Sequence, residues 1–120
     1  MLYHKDVYIP EGMREKIPLS FRVEYSSHSL NEAEKDRKGY GLKILNLRRN
    51  LSFKETDVIE VETDSYSNII KVVFRERYNS EFDIVYAISL MNYKVKTIWL
   101  QKTNDMHDTL DRGKYERNPL

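Results

Sequence analysis

Phe82-Asp83-Ile84-Val85-Tyr86-Ala87-Ile88-Ser89-Leu90 is the stretch that decides the fold. Phe82, Ile84, Tyr86, Ile88 and Leu90 alternate with Asp83, Val85, Ala87 and Ser89. A period of two puts the larger apolar side chains on one side of an extended strand. Upstream, Ile69 to Arg77 has the same period. Ile70, Val72 and Phe74 share one side, and Lys71, Val73, Arg75 and Arg77 share the other. Tyr78-Asn79-Ser80-Glu81 joins the two strands as a turn. Further upstream, Val58 to Thr63 predicts a strand with Ile59 and Val61 inward and Glu60 and Glu62 outward. Asp64 to Asn68 is its turn. Downstream, Met91-Asn92 is short enough for a tight hairpin, and Tyr93 to Lys102 is the last strand. There Lys94, Lys96, Ile98 and Leu100 share one face, Tyr93, Val95, Thr97 and Trp99 the other, and each face has a claim on the core. Connections this short predict an antiparallel meander.

Before the meander, Ser20 to Tyr25 alternates as one half-buried strand with Phe21, Val23 and Tyr25 on one face. Ser29-Leu30-Asn31-Glu32 matches a capping box, with Ser29 as N-cap and Gly39 as the closing glycine. The apolar face of this helix is only Leu30 and Ala33, so it belongs at the edge of a sheet. Residues 40–55 carry Leu42, Ile44, Leu45, Leu47, Leu51 and Phe53 at a spacing that suits a helical turn or irregular strands. The expectation is an α+β fold, an antiparallel meander of about four to five strands with one short N-terminal helix packed at the sheet. Residues 1–19 read as an N-terminal arm, 20–115 as a single domain and 116–120 as a C-terminal end.

Composition excludes several classes of function. The 120 residues hold no cysteine, which removes disulfides, thiolate metal sites and a cysteine nucleophile. Twenty Lys and Arg face nineteen Asp and Glu, so net charge gives no general argument for nucleic acid. No apolar run approaches the roughly 18 residues of a membrane span, and the first residues lack the apolar core of a signal peptide. A cytoplasmic location without membrane partners is expected. Glycine-rich phosphate loops, nucleophile elbows and zinc or calcium motifs are absent from the sequence, so no cofactor and no metal is expected.

Four features carry chemistry. His28 precedes the expected N-cap, where helix N–H groups attract anions and an imidazole can act as a base; packing on Ala33 or plain exposure is the alternative. Lys71, Arg75 and Arg77 project together from one strand and suit phosphate, unless Asp83 or the preceding glutamates pair with them. Trp99 stacks on a base if half exposed, or packs in the core. The tail from Thr103 to Tyr115 sets His107 between Asp105 and Asp108, which orient its ring, and adds Thr109, Arg112 and Tyr115; a disordered end or a docked short helix is its alternative.

Tyr25-Ser26-Ser27-His28-Ser29-Leu30 opening a helix, then antiparallel strands ending in Val95-Lys96-Thr97-Ile98-Trp99-Leu100, resembles the small α+β ribonucleases of RelE and colicin D type, a toxin-like fold. The last strand with Asp105-x-His107-x-Thr109-Leu110 and Tyr115 is also similar to small uncharacterised bacteriophage proteins. The resemblance covers roughly residues 20–115. It implies metal-independent RNA cleavage, with His28 matching the group's helix-leading histidine, Lys96 and Thr97 its polar residues on the final strands, and Arg75 a phosphate ligand by position. Joined to the features above, the expected site has His28, His107, Lys96 and Tyr115 catalytic and Lys71, Arg75, Arg77, Thr97, Thr109 and Arg112 binding substrate. The near-neutral charge departs from the basic toxins of the group. The competing expectation is a non-catalytic module that binds a nucleic acid or a host protein and modulates it.

Overall fold

The computed structural model describes residues 14–66 and 68–104. Within them the chain is α+β. Strands β1 (Ser20–Arg22) and β2 (Glu24–Tyr25) lead into helix α1 (Ser27–Gly39). Strand β3 (Asn50–Ser52) follows, then β4 (Val58–Thr63), β5 (Ile69–Arg77), β6 (Phe82–Ser89) and β7 (Lys94–Lys102). A five-stranded sheet has the order β2-β7-β6-β5-β4, and β1 and β3 form a separate antiparallel pair. Strands β4 to β7 are the expected meander. β2 joins β7 in parallel through Glu24–Lys94 and Tyr25–Val95. No described helix is long and apolar enough to cross a membrane.

The single strand expected over 20–25 is divided at Val23, which is 1 % exposed. Its N–H bonds the Arg49 carbonyl at 2.7 Å, and the chain passes there from one sheet to the other. The helix begins three residues earlier than the capping box implies. Ser26 is the N-cap, and its hydroxyl accepts from the Ser29 N–H at 3.0 Å. At the other end the left-handed residue is Gly41 (φ 72°), not Gly39. Leu42 N–H bonds the Arg37 carbonyl and Gly41 N–H the Lys38 carbonyl, the pairing of a Schellman cap.

The core lies on one face of the sheet. Val72, Phe74, Ile84, Tyr86, Ile88, Ile98 and Leu100 are buried there, beneath Val23, Leu51 and Phe53, with Leu42, Leu45 and Leu47 packed against them. Residues 42–49 form no regular element; they are an apolar strap. Ile44 turns outward, 64 % exposed. Phe53 stacks on Phe74 at a centroid distance of 4.0 Å.

Two irregularities change which side chains face the core. The pairing of β4 with β5 shifts between Val58 and Glu60, so Ile59 joins Val73 and Val85 on the rear face while Val61 stays with the core. Strand β7 opposes Val95 to Ile88 and Thr97 to Ala87, leaving Lys96 as the extra residue of a bulge. A bulge switches the pleat. Val95 therefore shares the core face with Ile98 and Leu100, and Thr97 and Trp99 lie on the rear face. The alternation within β7 that favoured neither face is resolved by this one residue.

Candidate functional site

Helix α1 is fastened to β7 at its first turn. Ser26 N–H donates to the Val95 carbonyl at 3.1 Å, and the Ser26 hydroxyl donates to the Lys96 carbonyl at 3.2 Å. Ser29, fully buried, returns a bond from its hydroxyl to the Ser26 carbonyl at 2.8 Å. His28 lies in this turn and is exposed, as is Lys96. Of the expected site residues, His28 lies two residues beyond Ser26, which bonds the Lys96 backbone, while Thr97 belongs to the rear face of β7. His28 opens a shallow groove of about 420 Å³ along α1 that mixes Asn31, Lys35 and Lys38 with Glu32 and Glu34. The intervals of three, four and three residues hold His28, Asn31, Lys35 and Lys38 on one helical face.

The expected cationic strand is organised differently. Its side chains share the rear face, but each is engaged with an acid. Arg75 is 2 % exposed. Its Nε meets Asp83 Oδ2 at 2.6 Å and its guanidinium also donates to the Lys102 carbonyl at 3.1 Å. Arg77 takes the other oxygen of Asp83 at 3.0 Å. Lys71 pairs with Glu62 at 3.3 Å. The reason is register: Asp83 lies directly opposite Arg77, within diagonal reach of Arg75. Arg75 is a buried ion-pair residue rather than a phosphate ligand at the surface. Trp99 is half-buried and packs with Val85 and Ala87. His107, Thr109, Arg112 and Tyr115 lie outside the described residues.

A second polar site was not singled out from the sequence. Glu76 ends the core-facing side of β5, one alternation beyond Phe74. Its Oε1 accepts from the Tyr86 hydroxyl at 3.1 Å and from the Arg48 guanidinium. The Tyr25 hydroxyl donates to the Arg48 carbonyl, and the Asn46 N–H donates to the Tyr78 hydroxyl at 3.2 Å. These bonds tie the 42–49 strap to the sheet around a cleft of about 280 Å³. Burial lifts the Glu76 carboxyl above its ordinary range, against the pull of Arg48 and Tyr86. Burial also lifts the Tyr25 phenol to about 12 and the Tyr86 phenol higher still. Perturbed titratable groups around a cleft mark a candidate site. The available signal was parity: a carboxylate and a tyrosine at apolar positions of adjacent strands must find partners.

The fold and these two sites define an α+β protein with a serine-fastened helix N-terminus that carries an exposed histidine and a separate carboxylate–guanidinium cleft. No family model matches the chain, and comparison with curated proteins and with solved structures finds no match.

Proposed function

We propose that this chain is a metal-independent ribonuclease-like protein whose reaction is centred on the junction of α1 and β7. The observation that carries this reading is the clamp of Ser26 on Val95 and Lys96, which holds the His28 turn against the Lys96 bulge. His28 takes the proton of a ribose 2′-hydroxyl as general base. The freed oxygen attacks the adjacent phosphorus, and Lys96 offsets the charge that develops there. The 5′-oxygen leaves with a proton from an acid, for which the sequence offers His107 or Tyr115, and a 2′,3′-cyclic phosphate remains. Asn31 and Lys38 on the same helical face are suited to the neighbouring phosphates, whereas Lys35 is paired with Glu32. Arg75 has no catalytic part in this scheme, because its charge is committed to Asp83.

The test is incubation of pure protein with single-stranded RNA in EDTA. Cleavage is expected, and His28→Ala should slow it roughly 10²-fold or more without altering the circular dichroism spectrum. Complete inertness of the folded wild-type chain removes the reading.

One observation favours a binding module instead. Tyr66 (84 % exposed), Met91 (80 %) and Tyr93 (37 %) occupy the two turns at the same end of the sheet. A groove of about 390 Å³ with Lys16, Ile69 and Leu90 lies beside Tyr93. Exposed tyrosine and methionine are common in protein interfaces. On this reading a Tyr66→Ser, Met91→Ser double variant loses its protein partner while the fold and any RNA cleavage are unaffected.

A further inference from the structure

The cleft around Glu76 has a pairing of charges that the proposed chemistry at His28 does not use. One carboxylate oxygen, Oε1, is occupied by Arg48 and Tyr86. Oε2 receives no hydrogen bond from a described residue. The Arg48 side chain is 53 % exposed and the Glu76 side chain 18 %. A guanidinium has five N–H donors, so Arg48 keeps donors for a guest after binding Glu76. The cleft therefore offers a hydrogen-bond acceptor and a cation side by side, in direct contact with each other. Its complement is a molecule with a hydroxyl donor beside an anion.

A ribonucleotide has that arrangement: the 2′-hydroxyl and the 3′-phosphate sit on neighbouring carbons. A 2′-hydroxyl can donate to the open carboxylate oxygen while the phosphate faces Arg48, and it is the group by which a protein tells RNA from DNA. Ile84 and the Tyr78 ring line the same cleft and supply apolar wall for the sugar. The site is distinct from the junction at His28. Glu76 is two strands away from β7 and opposite Ile84, which pairs with Leu100, four residues beyond Lys96. Strand spacing of about 4.8 Å and a rise of about 3.3 Å per residue put roughly 15 Å or more between them. Successive phosphates of an extended single strand can span such a separation in a few nucleotides.

We propose that the Glu76–Arg48 cleft is a ribonucleotide subsite that reads the 2′-hydroxyl and 3′-phosphate together and so selects RNA over DNA. The proposal rests on the RNA-directed reading above and names how that substrate is held. The measurement is titration of the full chain, followed by amide chemical shifts in a nitrogen–proton correlation spectrum. The probes are adenosine 3′-monophosphate and its 2′-deoxy analogue. A hydrogen bond to a charged group is worth about 1.5–3 kcal/mol, so the ribo form should bind roughly tenfold tighter or more, with shifts at Glu76, Tyr78 and Ile84. Glu76→Gln should bring the two affinities to within about twofold, and Arg48→Met should weaken both by similar factors. Equal affinity of the wild type for both probes overturns the proposal, and that comparison needs no variant. Shifts that map away from the cleft overturn it too. Cleavage of RNA in EDTA together with equal binding of the two probes retains the catalytic reading and removes this subsite. Selective binding without cleavage does the reverse.

Discussion

The two faces of the sheet are built on different physics. The core face is closed by shape: Phe53 stacks on Phe74, Phe21 lies 5.9 Å from Phe74, and the strap from Leu42 to Leu47 fills in behind. The rear face has a small apolar centre, Ile59, Val73, Val85 and Ala87 with Trp99, set among charges. There Asp83 is 4 % exposed yet serves two arginines. The core face loses stability in proportion to what is cut from it. The rear face is poised on single groups, because a buried charge without its partner costs more than a missing methyl. The same alternation along β5 and β6 thus produces a graded face and an all-or-none face.

The sharpest way to break this contrast is Asp83→Ala. Leaving Arg75 buried without its carboxylate should cost about 3–5 kcal/mol, read as a lower urea midpoint. A loss below 1 kcal/mol would mean that Arg75 finds another partner or reaches water. On the core face, Ile88→Val should cost about 0.5–1.5 kcal/mol, and the contrast fails if this conservative change rivals Asp83→Ala. Ser26→Ala removes an N-cap and the bond to Lys96, for about 1 kcal/mol. It should also slow any RNA cleavage more than that stability loss explains, since His28 is then released from the bulge. Lys71→Met, at a half-exposed pair, should change stability by about 1 kcal/mol or less.

The smallest effect is a pH dependence at the border of the two regimes. Burial raises the Glu76 carboxyl above the ordinary value of 4.5. Between that value and the raised one the folded state binds more protons than the unfolded state, so stability falls as pH rises. The contribution of Glu76 is fully present below 4.5 and is lost as pH climbs through the raised value. Asp57, also lifted by burial, acts in the same direction. Relative to Glu76→Gln, the wild-type urea midpoint should therefore decline from acid toward neutral pH. A rising difference would place the Arg48 attraction above the desolvation of Glu76.

The meander was legible because β5, β6 and their turns follow strict alternation, and Asn79 secures the turn by accepting from Glu81 and Phe82 N–H groups, both at 2.8 Å. The helix was legible in existence but not in start. Ser26 and Ser29 are both serines, and the choice between them is made by Val95 and Lys96, about seventy residues away. Residues 40–55 were not legible, since a strap takes its shape from the surface beneath it and has no period of its own. The two bulges hid Ile59 and Val95 for a related reason: one extra residue reverses every later assignment along a strand. Among site residues, His28 was singled out from its place before the helix and Lys96 from the family resemblance; the link between their segments is the Ser26 hydroxyl on the Lys96 carbonyl. Arg75 was misjudged as a surface group, although its possible pairing with Asp83 was visible. The Glu76 cleft depends on Arg48, which comes from the one segment without a pattern.

Asp36 gives the sheet a boundary. Its Oδ2 accepts from the Leu100 N–H at 2.8 Å, on the side of β7 beyond the two residues of β2. A helix carboxylate occupies the position where a further strand would bond. Sheets that end in bare amides invite other chains to continue them. Here that side of β7 is covered by α1, held at one end by Ser26 and farther along by Asp36, so the helix serves as the sheet's selvedge.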